Sequence, residues 1–361
     1  MKSISSLVLA LLGAISAAQR CASPPAVPHG FALAAKPIWM VDLHSRGYVS
    51  EPYKVHGAYR AIRQIAFGGT DELVVINDGG MCGKSNPVHA FVLNSKSGKL
   101  MNEAKWASNC WPYIFATAKG NYAAVTDNGM SVYSPGLKNV VATAPQTAAE
   151  MASPDGRVLA AWRQIPHHGQ TYLLNADTLQ TTNHEILDRN VVSVSPDTFA
   201  YLVTRAGSPD QIVLLDNGGP KLPEITTYCS LAHVRFLSAD KLAVLGCNRL
   251  RVLNTQGSEL FADGNTGYIG GSEIGAVSRD GSRFALTRIY DDSGDVARVC
   301  AERITVFDVA GRKPIFALDL GELSGFDAHG HASGVALSPD GSLLAVDSEG
   351  IIQVFQMPNN P

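Results

Sequence analysis

The sequence predicts an all-β fold, a seven-bladed β-propeller of four-stranded antiparallel blades. Three observations predict it. A Ser-Pro-Asp-Gly type corner between two apolar runs recurs along the chain. The corners are spaced by about the length of one blade. The composition combines few charges, 17%, with 34 Gly and 19 Pro, against about 25% charged in ordinary soluble domains. Many short strands joined by tight turns need that composition.

The clearest unit is near the end. Val335 and Leu337 alternate as a half-buried strand requires, then Ser338-Pro339-Asp340-Gly341 turns the chain into Leu343 to Val346. Pro339 fixes its φ, Asp340 can bond its own backbone, and Gly341 adopts a φ other residues resist. The pattern returns at Ser153-Pro154-Asp155-Gly156, Ser195-Pro196-Asp197, Ser238-Ala239-Asp240 and Ser278-Arg279-Asp280-Gly281. Looser copies are Gly68-Gly69-Thr70-Asp71 and Thr117-Ala118-Lys119-Gly120. The turn residues 71, 119, 155, 197, 240, 280 and 340 are spaced by 48, 36, 42, 43, 40 and 60 residues. A period near 40–45 with several short strands per repeat is a propeller signature. One closed propeller uses the whole apolar content, so 38–361 is read as a single domain.

The last unit resembles a WD40 repeat, through Gly330-His331, Val335, the Ser-Pro-Asp-Gly corner, Ala345 and a third strand of Ile-x-Val-Phe type. The other units resemble the broader WD40-like and TolB-like propellers. The resemblance implies the fold and gives His331 a structural hydrogen bond within its blade. It says little of function, because propellers host binding, scaffolding and several chemistries.

In chain order, 1–18 reads as a secretory signal peptide. Lys2 supplies the positive end, 7–15 the apolar stretch, and Ser16-Ala17-Ala18 a small-residue cleavage site. The mature chain then begins at Gln19. The residues before Cys21, Ala18-Gln19-Arg20, are not those of a lipid-attachment site. Residues 19–37 are proline-rich and read as an extended lead-in. The last repeat has only three strands, so 38–43 or 48–55 is expected to complete its blade and close the ring. Within each repeat, the first-to-second corners and the third-to-fourth turns share one face. The second-to-third loops (77–89, 163–170, 204–211, 288–303) and the connections between repeats (102–112, 224–233, 263–273, 321–333) share the other. Loops on a rigid scaffold are where binding resides.

Six cysteines in an exported chain favour disulfides. Loop placement pairs Cys82 with Cys110 and Cys229 with Cys247, which leaves Cys21 with Cys300. Net charge of −3 without basic runs excludes electrostatic nucleic-acid binding. No further stretch is apolar enough to span a membrane, and a monomer is expected.

Asp327, His329 and His331 have metal-ligand residue types at close spacing and are the candidate metal ligands, although two histidines on one loop are a weak signal. His167-His168 reads as a solvated pair. Asp291-Asp292-Ser293-Gly294-Asp295 does not match calcium-loop spacing. Gly83-Lys84-Ser85 lacks the first glycine of a phosphate loop, Asp78 standing in its place. Trp106, Trp111, Tyr113, Tyr268 and Tyr290 lie in or beside the loop face, where packing within blades outweighs stacking on a ligand. No catalytic or cofactor-binding residue is assigned and no cofactor is expected. The reading is an exported binding module that takes a protein or glycan on its loop face. The alternative is a propeller hydrolase or lactonase with a metal-assisted site at the channel mouth.

Overall fold

The computed structural model describes residues 32–33, 36–48, 65–69, 71–77, 87–107, 112–126, 128–163, 171–186, 191–196, 198–203, 211–216, 219–226, 233–246, 249–263, 273–291, 299–321, 334–348 and 350–358. Two short strands come first, β1 (Ala32–Leu33) and β2 (Trp39–Asp42). The chain then builds sheets in succession. The first holds β3 (Ile65–Phe67), β4 (Glu72–Ile76), β5 (Pro87–Asn94) and β6 (Leu100–Ala107). The second holds β7 (Tyr113–Ala116), β8 (Tyr122–Thr126), β9 (Gly129–Tyr133) and β10 (Val140–Pro145). Next come β11 (Thr147–Ala152), β12 (Val158–Arg163), β13 (Thr171–Asn175) and β14 (Thr181–Ile186). The fourth holds β15 (Val191–Val194), β16 (Thr198–Val203), β17 (Gln211–Asp216) and β18 (Gly219–Thr226). The fifth holds β19 (His233–Ser238), β20 (Lys241–Gly246), β21 (Arg249–Asn254) and β22 (Glu259–Asp263). Then follow β23 (Glu273–Val277), β24 (Arg283–Asp291), β25 (Val299–Asp308) and β26 (Lys313–Gly321), and finally β27 (Gly334–Leu337), β28 (Leu343–Ser348) and β29 (Ile351–Gln356).

Consecutive strands within each sheet pair antiparallel. β2 lies on the edge of the last sheet, antiparallel to β29 from Trp39↔Val354 to Asp42↔Ile351. The expectation of four strands everywhere is corrected in one sheet. Among the described residues six sheets hold four strands, while β26 takes β1 as a fifth, parallel to it at Ala32↔Phe316 and Leu33↔Ala317. The open edge of an outer strand presents unpaired backbone groups, and the extended lead-in supplies two residues to them.

A second correction concerns 288–303, expected as a long loop. β24 continues to Asp291 and β25 starts at Val299, with Arg288 directly opposite Arg303. Charged residues persist in these strands because they are paired. Arg303 donates to Asp319 through Nε at 2.5 Å and Nη2 at 2.9 Å, and Arg288 Nη2 donates to Asp263 at 2.8 Å in the neighbouring sheet. Those partners make their burial tolerable.

The apolar residues face the seams between sheets. Phe284 and Phe307 stack at 5.0 Å and 8° in the seam with β20 and β21, among Leu245, Leu250 and Val252. On the opposite face of the same sheet, Ile304, Val306 and Phe316 pack against Val335, Leu344 and Phe355. The first strands pack on one another around an axis, β3 on β7, β7 on β11, β11 on β15, β15 on β19, β19 on β23, β23 on β27, and β27 on β3. Trp39 fastens the last sheet to the first. Its Nε1 donates to Ser95 O at 2.8 Å, and its ring lies where a Cβ on Gly98 would come within 2.6 Å.

All seven corners fall between the first and second strands of their sheets. Their geometry is a repeated hydrogen-bond unit. Ser153, Ser238, Ser278 and Ser338 each donate from Oγ to the corner Asp two residues on, at 2.6–2.7 Å. At Ser153, Ser195, Ser278 and Ser338 the Oγ accepts the backbone N–H that opens the next strand, at Val158, Thr198, Arg283 and Leu343 (2.9–3.1 Å). Gly156, Gly281 and Gly341 follow with φ of 71°, 69° and 68°. Asp340 additionally accepts from Ser342 N and Oγ at 3.0 and 2.8 Å. Burial acts to raise its pKa, but these bonds and the one from Ser338 outweigh it, so the carboxyl sits below the usual carboxylate range. Asp240 is held low chiefly by Ser238.

A carboxyl lowered in the folded state stabilises fully above its unfolded value, about 3.9, and that contribution is lost as pH falls through the folded value. Asp340→Asn is therefore expected to lower Tm at pH 7. The gap to the native chain should close as pH drops below about 4, measured by circular dichroism melts across pH.

Candidate functional site

Among the described residues a cavity lies on the axis. Its volume is about 130 Å³. The walls are first-strand residues of several sheets, among them Phe67, Phe115, Ala276 and Val335, and the lining reaches the corner residues Pro154, Arg279 and Pro339. The repeat explains why. A first strand is short, so its inward side chains and the corner that ends it lie against one axial passage. Small residues (Ala66, Ala116, Ala152, Gly275, Ala336) keep that passage open.

Two charged side chains line the cavity among the described residues, Arg235 on β19 and Arg279 in the corner after β23. Both are half-buried. Arg279 Nη2 donates to Thr117 O, 3.0 Å away in the corner after β7. Thr117 in turn donates to Asp177 at 2.5 Å, and Asn121 Nδ2 donates to the same oxygen at 2.9 Å. The cation is thus held at a fixed point of the mouth.

Beside it is a buried acid. Glu72 Oε2 accepts from Gly136 N at 2.9 Å and from Tyr122 Oη at 3.2 Å. Burial first, and the Glu72 charge second, push the Tyr122 phenol far above the usual tyrosine range, with Arg279 opposing. Tyr122 is fully buried and serves as a donor, and Gly68 leaves room for it, since a Cβ there would come within 1.9 Å of Oη.

Most residues singled out from the sequence lie outside the described residues: Asp327, His329, His331, His167, His168, Gly83-Lys84-Ser85, Asp292, Asp295, Trp111, Tyr268 and Cys21, Cys82, Cys110, Cys229 and Cys247. Cys300 occupies a position of β25 rather than a loop, and Asp291 and Tyr290 end β24. Two aromatic residues have packing roles. Trp106 lies against Tyr133 with ring centres 5.1 Å apart, and Tyr113 is buried beside Phe115 at 6.4 Å. No group of three potential metal ligands occurs among the described residues, and no helix among them is long and apolar enough to cross a membrane. The axial arginines were not singled out from sequence. Arg279 did carry a signal, because it stands where three sister corners have proline.

The sheets, their corners and the axial passage decide the architecture. The chain is a β-propeller. Solved structures agree in fold. A chain of the mitotic checkpoint complex matches with a TM-score of 0.56 at 14% identity, covering 94% of this chain and 100% of that one. The structure titled KlHsv2 with loop 6CD replaced by a Gly-Ser linker matches at 0.52 and 12% identity, covering 82% and 94%. No protein-family model and no curated protein sequence matches the chain. The resemblance of the repeats to WD40-like propellers therefore holds at the level of the fold.

Tyr122→Phe removes one of the two donors to buried Glu72. A loss of about 1–3 kcal/mol in stability is expected for an under-satisfied buried carboxylate, read from urea midpoints at unchanged slope.

Proposed function

We propose that this chain is an exported seven-bladed propeller that binds a protein or glycan partner through the face opposite its corners. The observation that carries the reading is an asymmetry in chain length. At the corner ends only a few residues join consecutive strands. At the other ends several connections are as short, such as 127–128, 146 and 247–248, but the long ones all lie there: 77–86, 164–170, 204–210, 227–232, 264–272, 292–298 and 322–333. A rigid ring with its long connections gathered on one side is the arrangement of a recognition scaffold.

In this reading the seven sheets are the blades of one closed ring, and the β2–β29 pairing is its closure, joining both ends of 38–361 in a single blade. Residues 1–18 direct export and are removed, with 19–37 as lead-in. Export makes the disulfides Cys82–Cys110 and Cys229–Cys247 natural cross-links of neighbouring connections. Cys82 falls between β4 and β5 and Cys110 between β6 and β7, while Cys229 and Cys247 flank β19 and β20. Cys21 and Cys300 form the remaining pair.

Three measurements test this. N-terminal sequencing of secreted protein should begin at Gln19. Peptide mapping without reductant should recover the Cys82–Cys110 and Cys229–Cys247 peptides, and reduction should lower Tm by an amount corresponding to about 2–4 kcal/mol per bond. The immobilised mature chain should retain one specific protein or glycan, and replacing 164–170 or 322–333 with a Gly-Ser linker should abolish retention. Stoichiometric bound metal that disappears in His329→Ala would instead favour the hydrolase reading, with Asp327 and His331 as the other ligands.

A further inference from the structure

At three of the five serine corners the residue after the serine lines the axial cavity. These residues are Pro154, Pro339 and Arg279. Proline there only walls the passage. Arginine projects a guanidinium into it. Arg279 does not fold back on its own sheet but reaches Thr117 O, in the sheet of β7–β10. Following the packing of first strands from β23 through β27 and β3 to β7, that sheet is three places along the ring. The side chain therefore extends over the mouth of the passage.

Guanidinium presents five N–H donors in a planar fork, and the bond to Thr117 uses one of them. That fork matches a carboxylate or phosphate in a bidentate manner. A cation on the wall of a narrow passage has its field focused along it. Arg235 adds a second cationic side chain to the same wall. The cavity, at about 130 Å³, has room for a few waters or one small oxyanion. The overall charge of −3 gives this feature no general cause: it is local to the axis.

We propose that the corner-side mouth of the axial channel is a binding site for one small oxyanion group, phosphate or carboxylate, anchored by Arg279 and supported by Arg235. The site lies at the end of the ring away from the long connections, so it stands or falls independently of the partner-binding reading above.

The test is isothermal titration of the mature chain at constant ionic strength, with inorganic phosphate in one arm, acetate in a second and chloride as control. The native chain should show saturable one-to-one binding of phosphate, acetate or both, and the stronger arm identifies the group. Arg279→Pro installs the sister-corner residue, and among the described residues the Arg279 N–H makes no backbone hydrogen bond that would be lost. It should weaken binding by about tenfold or more, the equivalent of one charge-assisted hydrogen bond. Arg279→Lys should bind with intermediate strength. If the proline variant melts early, Arg279→Gln takes its place. Equal affinity in the native chain and the neutral variant overturns the proposal, as does the absence of saturable binding in both oxyanion arms. Replacing 164–170 should leave the titration unchanged.

Discussion

One hydroxyl group at the end of most first strands sets much of this architecture. At Ser153, Ser278 and Ser338 it donates to the corner aspartate and accepts the N–H that opens the second strand. The turn is thereby closed at both ends. The glycine that follows is then required twice. Its φ near 70° is strained for any side chain, and its missing Cβ is where the preceding sheet approaches. A Cβ on Gly156 would come within 2.8 Å of Ala116 O, and one on Gly281 within 2.4 Å of Leu237 O. A local turn rule and the contact between neighbouring blades thus converge on one residue. That is why the corner is both the repeat's sequence signature and its means of packing.

The same corners also join blades by polar contacts. Ala118 N donates to Gly156 O at 2.8 Å and Asp280 N to Pro339 O at 3.2 Å. Arg283 spans the last seam, donating from Nη1 to Gly341 O at 2.8 Å and from Nη2 to Pro358 O at 2.9 Å. Around the axis, the hydrophobic seams supply most of the burial, while directional bonds at the corner end fix how one sheet sits on the next. Where charge enters a seam, as at Arg288 and Arg303, each guanidinium has a carboxylate opposite. Removing one partner there would leave a buried charge, which costs more than the pair contributes.

The axial passage follows from this construction. Short first strands with alanine and glycine on the inward side leave a gap that apolar side chains do not fill. Its polarity is then decided by a few positions. Arg279 and Arg235 are the charged side chains of its described lining, and the bond to Thr117 fixes the Arg279 guanidinium in place. Glu72 and Tyr122 nearby are turned toward each other and toward Gly136, so that their polarity is internally satisfied.

Corner spacing, alternation and turn chemistry are local properties, so the blades and the register of their first hairpins were legible in the residues themselves. Val335 and Leu337 before Ser338-Pro339-Asp340-Gly341 admit little else. Non-local pairing was not legible. The attachment of Ala32–Leu33 to β26 involves partners almost three hundred residues apart and leaves no periodic trace in two residues. The strand character of 288–291 and 299–303 was hidden because Arg288 and Arg303 look solvent-seeking until Asp263 and Asp319 are brought beside them. Arg279 was visible as an odd corner residue, but that its position faces the axis depends on how sheets gather around that axis. The sequence alone settled which residues turn and which alternate, because those are matters of φ and of side-chain period. Tertiary structure decided which charges are paired and which face the channel, because both depend on groups that the chain brings together only when the ring forms.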